Sequence, residues 1–134
     1  MEIIRIHHID YVVKDLGKAM AQYERLFRVK FEPPEALANR GVQVARFKLG
    51  RTWIALVQPT RHDSPVQQLL DHRGEGFFHI AYEVSDVLAA AESLKSRGVG
   101  LVNELPRRGL EGWKLVDIEP AETFGVETQL VQRR

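Results

Sequence analysis

Cysteine is missing from this 134-residue chain. That excludes disulfides, zinc–thiolate sites and cysteine nucleophiles, and it fits a reducing compartment. No apolar run approaches the length needed to span a bilayer, and residues 1–6 lack the apolar core of a signal peptide. The expectation is a cytoplasmic protein without membrane association. Charge of one sign is also scarce: 19 Lys and Arg stand against 18 Asp and Glu, a formal net charge of +1. No broad basic field recommends nucleic acid as a partner. Two arginine pairs, Arg107–Arg108 and Arg133–Arg134, are short, though an anionic small molecule could use one of them. What is present is ordinary for a globular protein: 44% apolar and 28% charged residues. The length suits a single domain, 1–134, with a sizeable core.

The chain repeats itself once. Residues 6–15 read IHHIDYVVKD and residues 77–86 read FFHIAYEVSD, so His-Ile-x-Tyr-x-Val-x-Asp recurs 71 residues later. Residues 54–58, IALVQ, return as TQLVQ at 128–132, an offset of 74. One copy fills about half the chain, which indicates a duplicated module rather than a solenoid.

Each copy opens on an alternating strand and continues into a helical pattern. The spacing of Leu16, Ala19, Met20, Tyr23, Leu26 and Phe27 predicts a helix over 16–27 with Asp15 as N-cap. Val87, Ala90, Ala91 and Leu94 predict a second over 87–97, capped by Asp86 and stopped by Gly98. Ser64-Pro65 starts a short third helix through His72, and 63–73 is a linker between modules of about 1–62 and 74–134. Further strands are expected at 30–32, 41–49, 52–58, 100–103, 114–118 and 126–132, with a hairpin at Gly50-Arg51 and a loop over 33–40. The resulting class is α+β: two βαβββ modules forming an open, cup-shaped sheet.

Side chains alternate across a strand. Ile9, Tyr11 and Val13 share one face, matched by Ile80, Tyr82 and Val84, and a helix would cover these apolar rows. His8 and His79 fall on the other face, with Asp10, Val12, Ala81 and Glu83. On the closing strands Thr128 and Leu130 match Ile54 and Leu56 on the helix side. Glu127, Gln129, Trp53 and Ala55 then go with the histidines. A lone strand histidine is usually a satisfied, half-buried side chain. Two at equivalent positions are harder to dismiss, although duplication copies a bland histidine as readily as a ligand. His7, His62 and His72 have no repeat partner and read as surface or core. Trp53 is either cup lining or plain packing.

These residues resemble methylmalonyl-CoA epimerase, in the vicinal-oxygen-chelate (glyoxalase/bleomycin-resistance/dioxygenase) superfamily. The resemblance runs through residues 7–27, 40–59, 63–99 and 125–132. It is most specific in DSP, a short helix, then RGEG-x-x-HIA-x-EV. It implies the paired βαβββ fold and a divalent metal (cobalt, nickel, manganese, iron or zinc), held from the first and last strands of each module. Its histidine ligands match His8 and His79. Its second ligand, Glu or Gln, falls on Ala55, and its fourth, usually Glu, on Gln129. A catalytic Glu of some members falls on Val44. Where His-Pro-Lys is typical, this chain has Glu119-Pro120-Ala121. The ligand set is thus incomplete, and glutamine cannot act as a base. The remaining carboxylates on the histidine face, Asp10, Glu83 and Glu127, become the candidate bases.

Three functions compete. One is a metal-dependent epimerase, isomerase or lyase acting α to the carbonyl of a small acyl thioester or oxoacid, with Arg107, Arg108 and Lys114 as candidates for CoA phosphates. Another is a non-catalytic binding protein of the bleomycin-resistance type, favoured by an apolar lining of Val44, Trp53, Ala55 and Val57. The third is glyoxalase or dioxygenase chemistry, which wants a carboxylate where Gln129 stands. The resemblance also implies a homodimer.

Overall fold

The computed structural model describes residues 1–133, so Arg134 of the second arginine pair lies outside the described residues. The elements are β1 (Arg5–Val12), α1 (Leu16–Phe27), β2 (Glu35–Leu37), β3 (Val42–Leu49), β4 (Thr52–Pro59), α2 (Pro65–Arg73), β5 (Gly76–Glu83), α3 (Val87–Ser96), β6 (Arg107–Arg108), β7 (Lys114–Ile118) and β8 (Thr128–Gln132). The order βαβββ therefore occurs twice, with α2 between, and the α+β class is the expected one. Among the described residues no helix is long and apolar enough to cross a membrane. The backbone divides into two compact units, Ile9–Phe78 and Met1–His8 with His79–Arg134. Strand β1 therefore gives its first half to the unit built mainly from the second module.

In the unit Ile9–Phe78, β2, β3 and β4 are antiparallel, with Val44 opposite Val57 and Arg46 opposite Ala55. One face of β3 and β4 packs Ala45, Phe47, Leu56 and Ile54 against Leu16, Ala19, Met20 and Tyr23 of α1, around Val13 and Phe31. Burial, with neighbouring Tyr11 adding to it, pushes the Tyr23 phenol above its usual range. The Asp15 carboxylate accepts from the Lys18 N–H at 3.0 Å, as an N-cap should. Gln58 Oε1, arriving from the end of β4, accepts from the Leu16 N–H at 2.7 Å.

The other unit repeats the design. Strand β5 pairs parallel with β8, β8 antiparallel with β7, and β7 with β6. Helix α3 buries Val87, Ala90, Ala91 and Leu94 against Val84, Val116 and Leu130. Asp86 caps the Ala89 N–H at 3.0 Å, and Gln132 Oε1 accepts from the Val87 N–H at 3.0 Å. Both modules thus hold the helix start with an aspartate and with the glutamine that closes the last strand.

The edge strands depart from expectation in the same way in both modules. Residues 30–32 and 100–103 are not strands, and the loop over 33–40 contains β2. The Glu32 N–H does donate to the Arg46 carbonyl at 2.8 Å. Pro33 and Pro34 then offer no N–H to a ladder, and pairing resumes at Glu35 opposite Val44. In the second module Leu101 makes only an isolated bridge to Ile118, and the two-residue β6 begins directly after Pro106.

Candidate metal and active site

Strand alternation brings His8 and His79 to buried positions. On β1, His8, Asp10 and Val12 are buried while Ile9 and Tyr11 are half-buried. On β5, His79, Ala81 and Glu83 are buried while Ile80 and Tyr82 are half-buried. The parallel register sets Gln129 of β8 beside Ala81, one pleat beyond His79 on the same face. The three side chains converge: His8 Nε2 lies 3.1 Å from His79 Nε2 and 3.2 Å from Gln129 Oε1. The histidine rings meet edge to face, with centroids 5.2 Å apart. Asp10 follows two residues along β1 on the same face as His8 and is also buried.

Two aromatic neighbours support His8. The indole of Trp113, just before β7, stacks on its ring at 5.5 Å and 18°. His7, only 1% exposed, places its Nδ1 2.8 Å from His8 Nδ1 and meets Trp113 edge-on at 4.4 Å.

The candidate bases are placed very differently. Glu83 is buried in ion pairs with Arg5 at 2.7 Å and Arg133 at 3.2 Å. Its oxygens are taken up by guanidinium groups, and Arg133 is taken with them. Glu127 is half-buried just before β8, and its carbonyl accepts from the Ile80 N–H at 3.1 Å. Asp10 is buried on β1, two residues from His8. Among the basic candidates, Arg107 is held by Asp117 through two hydrogen bonds, at 2.7 and 3.1 Å. Arg108 and Lys114 stand opposite one another on β6 and β7. They line a cavity of about 550 Å³ with Leu105, Pro106, Leu88 and Gln132.

In the unit Ile9–Phe78, Val44 and Ala55 are buried and Trp53 is half-buried, on the face of β3 and β4 turned away from α1. Val57 shares that face, but the lining is not purely apolar. Arg46, 7% exposed and directly opposite Ala55, lays its guanidinium 4.0 Å over the Trp53 ring. Sequence reasoning passed over Arg46, His7 and Trp113. Alternation from Val44 would have found Arg46. His7 has no repeat partner to single it out, and nothing local in the sequence distinguishes Trp113.

The profile of the Glyoxalase/Bleomycin resistance protein/Dioxygenase superfamily matches residues 7–116. The chain belongs to this superfamily. Within it, the chain is 32% identical to the protein YqjC of Bacillus subtilis, over 96% of this chain and 91% of that one. It is likewise 32% identical to the ethylmalonyl-CoA/methylmalonyl-CoA epimerase of Cereibacter sphaeroides, over 96% and 97%. A solved methylmalonyl-CoA epimerase in complex with methylmalonyl-CoA and NH4+ superposes with a TM-score of 0.93 at 32% identity, covering 98% of this chain and 96% of that one. The glyoxalase-type fold anticipated from the duplicated strands is therefore the fold found, and methylmalonyl-CoA epimerases are its relatives in both sequence and structure.

Proposed function

We propose that this chain is a metal-dependent acyl-CoA epimerase of the methylmalonyl-CoA epimerase type, with His8, His79 and Gln129 holding one divalent ion. The observation that carries the reading is the 3.1 and 3.2 Å convergence of His79 Nε2 and Gln129 Oε1 on His8 Nε2. Ligand atoms about 2.1 Å from a common ion lie about 3.0 Å apart at a right angle and about 3.4 Å apart in a tetrahedron. The observed spacings fall between these two edges. Two imidazoles and an amide oxygen suit cobalt, nickel, manganese, iron or zinc. The set is one ligand short of the family pattern, because Ala55 offers no donor atom.

When bound, such an ion supplies a Lewis acid for the carbonyl oxygen of the thioester. The chain's own groups must move the proton. Epimerisation removes the proton from the carbon α to the thioester, leaves the electron pair delocalised into the carbonyl, and returns a proton to the opposite side. Asp10 is the proposed base, being a buried carboxylate on the histidine face of β1, two residues from His8. Glu127, immediately before the strand that carries Gln129, is the proposed partner on the second side. Trp113 holds the His8 ring in plane and keeps water from that side of it. Arg108 and Lys114 are proposed for the CoA phosphates: like charges directly across a strand pair repel, and an anion between them relieves the repulsion.

The test is α-proton exchange of methylmalonyl-CoA in D2O, followed by NMR after loading one equivalent of cobalt. Wild type exchanges the proton, His8→Ala and His79→Ala lose at least about 100-fold, and Asp10→Asn keeps the metal while losing exchange. Arg108→Gln with Lys114→Gln raises KM for the CoA thioester but not for the pantetheine thioester. Unchanged turnover in both histidine variants would sink the reading. Thioester binding without exchange would point to the non-catalytic binding protein instead. The proposal includes a cytoplasmic homodimer, for which sedimentation of the purified protein and cell fractionation are the checks.

A further inference from the structure

We propose that His7 is a positioning residue for the metal site: it accepts the Nδ1–H of His8 and so makes His8 present a lone pair at Nε2. The inference rests on the metal reading above and concerns a residue to which that reading gives no part. Neighbouring strand residues normally point to opposite faces, yet His7 and His8 are both buried and their Nδ1 atoms lie 2.8 Å apart. Nδ1 is bonded to Cγ, close to the backbone, so adjacent imidazoles can meet around the strand edge while their Nε2 atoms point apart. Trp113 fixes both rings, stacked on His8 and edge-on to His7.

A nitrogen pair at this distance shares one hydrogen, and a neutral imidazole carries one N–H. The hydrogen therefore has two arrangements. If His7 donates, His8 carries its own proton on Nε2, the atom facing His79 and Gln129, and that atom has no lone pair for an ion. If His8 donates, Nε2 is free of hydrogen and His7 keeps its own on its Nε2. Only the second arrangement makes His8, His79 and Gln129 three converging acceptors. Metal-bound histidines generally pass their other N–H to a carboxylate, a carbonyl or water. Here a second imidazole takes that place.

The test uses the full chain with zinc as probe, and two variants. His7→Leu removes the acceptor at similar bulk. His7→Asn restores an acceptor oxygen near the position of Nδ1. In long-range 1H–15N spectra of zinc-loaded wild type, His8 is expected to carry its proton on Nδ1 and to show scalar coupling across the hydrogen bond to His7 Nδ1. Zinc affinity is expected to fall about 10- to 100-fold in His7→Leu and to return to within about 3-fold of wild type in His7→Asn. A general packing defect would not be rescued by asparagine. Tight zinc binding by a folded His7→Leu, or an Nε2-protonated His8 in the zinc-loaded protein, overturns the inference and leaves the metal reading standing. If His7→Leu does not fold, the wild-type spectrum and the asparagine variant decide the matter. Wild type that binds no zinc overturns the metal reading itself, and this inference with it.

Discussion

Glu83 shows how a residue can satisfy a pattern and still be spent elsewhere. Alternation puts it on the histidine face, where a base belongs, but Arg5 and Arg133 close on it from two sides. Removing one member of a buried pair leaves a charge without its counterpart, at a cost of about 3–5 kcal/mol. Arg133 is 57% exposed along its side chain and can turn to water, so Glu83→Gln should cost closer to about 2–3 kcal/mol. Thermal unfolding should show this as a drop on the order of 8 °C, while α-proton exchange by the cobalt-loaded protein stays within about two-fold of wild type. A variant of normal stability that no longer exchanges would instead make Glu83 the base. Residues of this kind mark the limit of a strand pattern. Alternation assigns a face, as it did correctly for His8, His79 and Gln129, but not the partner waiting on that face. The neighbours of His8 were illegible for the same reason. The His7 contact is between adjacent residues that alternation sends apart, and Trp113 reaches His8 from more than a hundred residues away.

At the scale of elements, the helix starts were readable and their second support was not. Asp15 and Asp86 stand at N-cap positions and cap as expected. The repeated glutamines were visible as the ends of IALVQ and TQLVQ, but their bonds to the helix starts span 42 and 45 residues. Each supplies an acceptor for an N–H that the helix itself leaves unsatisfied. Asp15→Ala and Asp86→Ala should each lose about 1 kcal/mol, and Gln58→Ala and Gln132→Ala about 1 kcal/mol each, by urea unfolding. The aspartate variants act on separate helices, so their effects should add to within about 0.5 kcal/mol. A double loss far above the sum would mean that the two helix starts unfold as one. The short edge strands were misplaced because two or three residues carry too little pattern to outweigh the prolines that decide where pairing resumes.

At the scale of the whole chain, duplication is the property that made the fold legible, since two copies of one strand–helix–strands pattern specify both modules and the equivalence of His8 with His79. Duplication alone does not tell a ligand pair from an inherited one, and the thermodynamics of unfolding can. His8 and His79 are 71 residues apart, and both belong to the unit that joins the N-terminal segment to the second module. An ion held by both, and by Gln129 of β8, ties three separate stretches of chain, an arrangement the unfolded chain reaches only at the entropic cost of closing long loops. It therefore binds the native state in preference, and stability rises by about 2.7 kcal/mol when free metal stands at 100 times Kd. For a chain of this length that is a rise in Tm on the order of 8 °C. Cobalt or zinc should produce this rise in wild type, a smaller one in Gln129→Ala, and none in His8→Ala or His79→Ala. Equal rises in wild type and both histidine variants would place the ion elsewhere and leave the histidine pair as a legacy of duplication.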